Sequence, residues 1–201
     1  MVIHGASDRL AGFLCRRGFL EWDSREVSAY GLELLLSGLL GYLAVLAAAL
    51  LCGEALFGLV FLLLVTVTRS YTGGYHADSH CKCVLTGSLM FLIAVAFFRV
   101  TARLPLVPLN LCLAAFNLSV VSGLAPVEHG NKPVTKRQKA RGRKIGLLLA
   151  LLESALALLL SIFGYKQSTM VSASLWIVSI NILLEKGRGC KDEKRTRKSG
   201  V

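Results

Sequence analysis

GLELLLSGLLGYLAVLAAALLC, residues 31–52, contains one charged side chain, Glu33, and is otherwise apolar or small. A helix needs about 20 such residues to cross the hydrocarbon core of a bilayer. The stretch therefore predicts a transmembrane helix. The rest of the chain agrees, because 54% of its 201 residues are hydrophobic and only 17% are charged, whereas a soluble domain normally carries more polar surface.

Further apolar runs follow, and together they predict an all-α polytopic integral membrane protein with about six transmembrane helices. The predicted spans are residues 31–52, 54–68, 84–99, 104–124, 145–163 and 169–184. The second, third and sixth runs are short against a lower limit of about 17 residues. One of them could therefore re-enter the membrane instead of crossing it.

The segments on either side of this transmembrane domain, residues 31–184, are polar or mixed. Residues 1–30 combine apolar side chains with arginines, which predicts amphipathic N-terminal helices on the membrane surface or a short soluble cap. Residues 185–201 form a basic tail, for which the composition predicts disorder.

Positive charges are unevenly distributed between the predicted loops. With the N-terminus inside, the inner segments hold 20 of the 23 Lys and Arg residues; these segments are 1–30, 69–83, 125–144 and 185–201. The positive-inside rule then predicts that both termini and the 69–83 loop are cytoplasmic. The net charge of +11 fits contact of these loops with the lipid bilayer, and no nucleic-acid partner is expected.

The polar loop RSYTGGYHADSHCKC, residues 69–83, contains the residue types of a thiol hydrolase. Such a site needs a cysteine nucleophile and a base that generates its thiolate. His76 and Cys83 are seven residues apart, which is close to two turns if the segment is helical, whereas Cys81 would point elsewhere. Asp78 is either a third member that orients a histidine or a solvated loop carboxylate.

Other polar residues are candidates for substrate binding. The amides of Gly73 and Gly74 could hold an oxyanion, although glycine pairs also end helices and form turns. Arg69 could bind acidic groups of a substrate or extend to the membrane surface. Glu153 lies among leucines in the fifth span, where a carboxylate is expected to face protein or water. Helix–helix hydrogen bonds are expected from Asn110, Asn117 and Asn181.

Two motifs carry a resemblance to a known family. The first is Arg69, then Gly73-Gly74-Tyr75-His76-Ala77, with Cys83 seven residues after the histidine. The second is Ala125-Pro126, then Asn131-Lys132-Pro133 and a basic run. In these motifs, in its length and in its predicted spans, nearly the whole chain resembles the AgrB (accessory gene regulator B) family of membrane cysteine endopeptidases.

The resemblance implies cleavage of the C-terminal part of an AgrD-like quorum-sensing propeptide. His76 and Cys83 match the catalytic histidine and cysteine of the family. The acyl-enzyme would be captured by a cysteine or serine of the same peptide, which gives a thiolactone or lactone ring. The family also implies a homodimer, and no cofactor is expected. Lys132 lies in a basic loop that would either attract an acidic propeptide or fix the topology and contact anionic lipid.

Two other classes of protein are compatible with the residues alone. One is a non-enzymatic transporter or export partner for a small peptide. The other is a zinc-binding membrane protein that uses His76, His80, Cys81 and Cys83. Adjacent ligands at positions 80 and 81 rarely converge on one tetrahedral ion, so no metal is expected.

Overall fold

The computed structural model of the chain describes residues 2–74, 79–101, 103–127 and 135–199. All regular structure in these ranges is helical, which confirms the predicted all-α class. The helices are α1 (Val2–Arg16), a short 3-10 helix (Trp22–Ser24), α2 (Arg25–Leu51), α3 (Ala55–Thr72), α4 (His80–Thr101), α5 (Leu106–Leu124), α6 (Lys136–Ile162) and α7 (Gln167–Ser199). Helices α2–α7 are each long and apolar enough to cross a membrane, so the multi-pass architecture is confirmed.

Several helices extend past the apolar runs that predict them. The three short runs lie in α3, α4 and α7, which have 18, 22 and 33 residues. Even 18 residues span about 27 Å at 1.5 Å per residue, so none of the three has to re-enter. The predicted disorder of the basic tail is wrong, because α7 continues to Ser199.

Helix α6 begins at Lys136, nine residues before the predicted span, and a capping box fixes this start. The Thr135 hydroxyl accepts a hydrogen bond from the Gln138 amide at 3.3 Å, and the Gln138 side-chain oxygen accepts one from the Thr135 amide at 3.0 Å. Such reciprocal bonds satisfy backbone donors that have no partner within the helix. The basic segment that follows Thr135 is therefore helical.

The predicted amphipathic N-terminal helix is confirmed in α1. Ser7, Ala11 and Cys15 are spaced four residues apart and form a buried stripe, as expected for one face of a helix. This helix packs on the first part of α2. The Arg25 guanidinium also donates hydrogen bonds to both Asp8 carboxylate oxygens, at 2.8 and 2.9 Å.

Helix α7 is central in the bundle and packs against α3, α4, α5 and α6. Its polar side chains join it to α5. The Ser172 hydroxyl donates to Asn110 Oδ1 at 2.6 Å, and the Ser179 hydroxyl donates to Asn117 Oδ1 at 2.9 Å. These bonds confirm the predicted helix–helix roles of Asn110 and Asn117.

An aromatic cluster joins α3 to α4. Phe57, Phe61 and Phe91 are almost fully buried, and their ring centroids are 5.3–6.4 Å apart. On the α2 side, α3 approaches through Gly58, where a Cβ atom would lie 2.4 Å from the Ala49 Cβ. Phe61 of this cluster also lines the cavity described below.

Candidate active site

The predicted active-site loop begins where α3 ends at Gly73. This residue has φ +73°, a conformation that favours glycine. A Cβ atom here would lie 2.3 Å from the Val127 carbonyl oxygen, and the Val127 amide donates to the Thr72 carbonyl at 3.0 Å. The first motif therefore packs directly on the segment that begins the second motif.

The amide of Gly73 is already used within this turn. It donates to the Arg69 carbonyl at 3.0 Å, so the expectation that this amide binds an oxyanion is not supported by the arrangement. Gly74 allows a close approach instead. Its Cβ would lie 3.2 Å from the Asn181 Cβ and 3.4 Å from Arg69 Nε, so the arginine side chain runs beside it.

Cys83 lies in the first turn of α4. Ser79 precedes this helix, and its hydroxyl accepts a hydrogen bond from the Lys82 amide at 3.4 Å, while its carbonyl accepts one from the Cys83 amide at 2.9 Å. Helix α4 begins at His80, and the predicted helical spacing from His76 to Cys83 includes residues that the structure does not describe. His76 and Asp78 themselves lie outside the described residues.

A cavity of about 340 Å³ lies between α2, α3, α4 and α7. Cys83 is partly buried and lines this cavity, as does Arg69. Cys81 is exposed and is not part of the lining. The two neighbouring thiols therefore have different environments, and only the Cys83 side chain is accessible from the cavity.

The cavity is polar near Cys83 and apolar further in. Arg69 and Tyr42 line the cavity together with Cys83. An arginine and the first turn of a helix both stabilise negative charge, so this end of the cavity suits a negatively charged group. The Asn181 amide group donates to Met90 Sδ at 3.0 Å, which confirms the predicted bond from α7 to another helix.

Glu153 is placed away from this cavity. Its side chain is buried between α6 and α3, and one carboxylate oxygen accepts a hydrogen bond from the Thr68 hydroxyl. The other oxygen has no hydrogen-bond partner among the described residues. Glu153 therefore faces protein, as a carboxylate in a span is expected to do. Lys132 lies outside the described residues.

Sequence reasoning missed several residues of the cavity wall. Gly38, Gly41 and Tyr42 contribute from α2, and Gly87 contributes from α4. Glycines inside apolar runs were the available signal, but they usually indicate close helix packing in membranes. Within the described part of the chain, no three His, Cys, Asp or Glu residues form a metal-binding group, but His76 and the His80 side chain lie outside it.

The fold and the site define a multi-pass helical membrane protein with a cysteine-containing cavity. The chain matches the accessory gene regulator B family model over residues 7–184 and belongs to that family. The AgrB-like protein 2 of Clostridium perfringens strain 13 is 30% identical over 163 residues, which cover 79% of this chain and 76% of the relative. An AgrB-like protein of Halalkalibacterium halodurans is 31% identical over 150 residues, 72% of this chain and 71% of the relative.

The names of these relatives state a likeness to AgrB and no activity. No solved structure matches the chain. Membership of the family supports a role in the processing of a quorum-sensing peptide by the accessory gene regulator system, and it implies an AgrD-like propeptide as partner.

Proposed function

We propose that this protein is a membrane cysteine endopeptidase that cleaves an AgrD-like propeptide with Cys83 as nucleophile. The observation that carries the proposal is the position of Cys83 in the cavity between four helices, next to Arg69, while Cys81 is exposed outside it. A nucleophile has to reach a bound peptide bond. Of the thiols of Cys81 and Cys83, only that of Cys83 lines a space in which a peptide bond could bind.

The local electrostatics support this assignment. A cysteine reacts as its thiolate, and the proposal assigns two partners to the charge of a Cys83 thiolate: the Arg69 guanidinium, which lines the same cavity, and the first turn of α4. Arg69 can then continue to stabilise the charge as it moves to the carbonyl oxygen. Its role in the proposal is therefore charge stabilisation as well as binding.

The proposed reaction has two steps, cleavage and ring closure. The Cys83 thiolate attacks the scissile carbonyl carbon, the C–N bond breaks, and the C-terminal fragment leaves as an amine that takes its proton from His76. The N-terminal part remains attached to Cys83 as a thioester. Asp78 is the proposed third member that orients the histidine.

Ring closure follows from the same thioester. A cysteine thiol or serine hydroxyl within the peptide attacks the thioester carbonyl, loses its proton to His76, and releases the Cys83 thiolate. The product is a thiolactone or a lactone. Transfer between thiols is nearly neutral in free energy whereas hydrolysis is strongly downhill, so the site has to hold the internal nucleophile close and exclude water.

The proposal includes an orientation and an assembly. We propose that the active-site loop and both termini are cytoplasmic, and the excess of Lys and Arg in alternate loops supports this orientation. The basic first part of α6, from Lys136 onward, is largely exposed. Together with Lys132 it would attract an acidic segment of the propeptide. The proposal also includes a homodimer, for which the resemblance to the family is the only support.

The test uses the purified protein in lipid with a cognate AgrD-like propeptide. Mass spectrometry follows cleavage and ring formation by the wild type, Cys83→Ala, His76→Ala and the matched control Cys81→Ala. We expect cleavage to be lost in the Cys83 and His76 variants and to persist in Cys81→Ala. A propeptide without its internal cysteine or serine should accumulate as a thioester on Cys83 or as a hydrolysed linear product.

Other outcomes identify the alternative functions. If Cys83→Ala still cleaves the propeptide, the assignment of Cys83 as the nucleophile is wrong. If neither the wild type nor any variant cleaves the propeptide, and peptide release from cells does not depend on Cys83, the protein is an export partner and not a peptidase. If activity follows added zinc and is lost with a chelator, the zinc-binding class is favoured.

A further inference from the structure

The cavity extends well beyond the thiol of Cys83. Cys83, Gly87 and Met90 have the spacing i, i+4 and i+7, and all three line the cavity, so they lie on one face of α4. Gly87 is one helical turn from Cys83, about 6 Å along the axis, and Met90 is two turns away, about 10 Å. The cavity therefore continues from the reactive sulfur toward the membrane interior.

Apart from the Asn181 amide group beside Met90, the far part of this cavity is mostly apolar. Val45, Phe61 and Ile177 contribute to its walls and belong to one buried hydrophobic cluster. Pockets of about 300–1,000 Å³ are typical of small-molecule sites, and 340 Å³ is at the lower end of this range. The space is suited to one or two apolar groups and not to an extended peptide.

Glycines keep this space open. Gly41 on α2 and Gly87 on α4 both line the cavity, and a Cβ atom at either position would meet no atom within 4 Å. This differs from Gly58, where a Cβ would collide with Ala49 at 2.4 Å. Close helix packing explains Gly58, but it does not explain Gly41 or Gly87.

We propose that the cavity beside Cys83 binds the apolar side chain of the residue that supplies the scissile carbonyl, and that Gly41 and Gly87 determine how large this side chain can be. The inference rests on the proposed function. In the acyl-enzyme the carbonyl carbon of that residue is bonded to the Cys83 sulfur, so its side chain lies within a few bonds of the sulfur. The apolar space one turn from Cys83 is the environment in which a hydrophobic side chain is most stable.

Occupation of the cavity also protects the intermediate. An apolar side chain in this space displaces water from around the thioester, which disfavours hydrolysis relative to ring closure. A propeptide with a small residue at this position leaves the space to water. It is expected to be cleaved more slowly and to give a larger fraction of linear, hydrolysed product.

The test varies both the size of the substrate side chain and the size of the cavity. Propeptides with Leu or Ala at the residue that supplies the scissile carbonyl are compared, as a ratio of kcat/KM, with the wild type, Gly87→Leu and Gly41→Leu. The wild type should prefer Leu by about tenfold or more, since discrimination by a few methylenes in an apolar pocket reaches this size. Gly87→Leu or Gly41→Leu should reduce or reverse the preference.

Gly31→Leu is the matched control. Gly31 is a glycine of α2 outside the cavity lining, and a Cβ there also meets no atom within 4 Å. The Gly31 variant should keep the wild-type preference. If Gly41→Leu and Gly87→Leu keep it as well, the side chain does not bind in this cavity and the inference fails.

A second measurement does not depend on peptidase activity. Cys83 is alkylated with N-ethylmaleimide or with the bulkier N-phenylmaleimide, and mass spectrometry gives the rate at each cysteine, with exposed Cys81 as internal reference. Gly87→Leu should slow the bulky reagent at Cys83 several-fold more than the small one. An unchanged ratio overturns the assignment of the cavity. Failure of the proposed function is a separate result, because all propeptides would then remain uncleaved while this size discrimination persists.

Discussion

Replacing Gly73 with alanine is expected to destabilise the protein by roughly 1.5–4.5 kcal/mol, from two separate causes. The first is the backbone conformation, φ +73° and ψ −162°, which costs a residue with a Cβ about 1–3 kcal/mol. The second is the 2.3 Å approach of that Cβ to the Val127 carbonyl oxygen. Relief of this clash moves the 125–127 segment away and breaks the 3.0 Å bond from the Val127 amide to Thr72, at about 0.5–1.5 kcal/mol.

Three glycines of the same chain separate these causes. Gly164→Ala tests backbone conformation alone, because Gly164 has φ +76° and no neighbour within 4 Å of its Cβ, and it should cost about 1–2 kcal/mol. Gly58→Ala tests the clash alone. Gly31→Ala has neither problem and should stabilise its helix by about 0.5–1 kcal/mol.

The assay is the free energy of unfolding from a denaturing-detergent titration, followed by circular dichroism in lipid–detergent mixtures. Hydrogen exchange at the Val127 amide reports the local bond, and it should accelerate only in Gly73→Ala. The reasoning is refuted if Gly73→Ala is no more destabilising than Gly164→Ala, because the close approach to Val127 would then contribute nothing.

Two further predictions concern α6. Thr68→Val removes the donor to buried Glu153 and should lower the free energy of unfolding by about 1–3 kcal/mol. Thr68→Val combined with Glu153→Leu should lower it less, because neither member of this pair is then left as an unpaired buried polar group. The same titration checks both variants, and equal losses of stability would contradict the prediction. Thr135→Ala removes half of the capping box and should destabilise α6 by about 0.5–2 kcal/mol. Hydrogen exchange at the amides of Lys136–Gln138 should become faster, and unchanged exchange there would contradict the role of the cap.

The number and type of the helices could be predicted from apolar runs, but their ends could not. The run 54–68 stops at the polar residues that precede Gly73, yet α3 continues to Thr72. Hydroxyls bond within the helix there: Ser70 donates to the Thr66 carbonyl at 2.7 Å, and Thr72 donates to the Thr68 carbonyl at 3.0 Å. Hydropathy records these side chains as polar and takes no account of the bonds that satisfy them.

The site was predictable in its residue types and less so in its geometry. The motif indicated Cys83 and Arg69, and both line one cavity. The helical spacing considered for His76 and Cys83 stays a prediction, because residues 75–78 lie outside the described part of the chain. The cavity itself is formed by four separate helices, so no local pattern could indicate that Gly41 and Gly87 line the same space.

The central position of α7 has a consequence for biosynthesis. Among the described helices α7 leaves the ribosome last, and it is the least apolar of the six candidate spans. Its serines and its asparagine would be costly in lipid without partners, and their partners, Asn110 and Asn117 on α5 among them, are synthesised earlier. We therefore expect α7 to enter the membrane against an existing helical surface, and the cavity to be completed only when Ile177 and Asn181 arrive. A nascent chain would then have no enclosed site around its thiol until synthesis has passed α7.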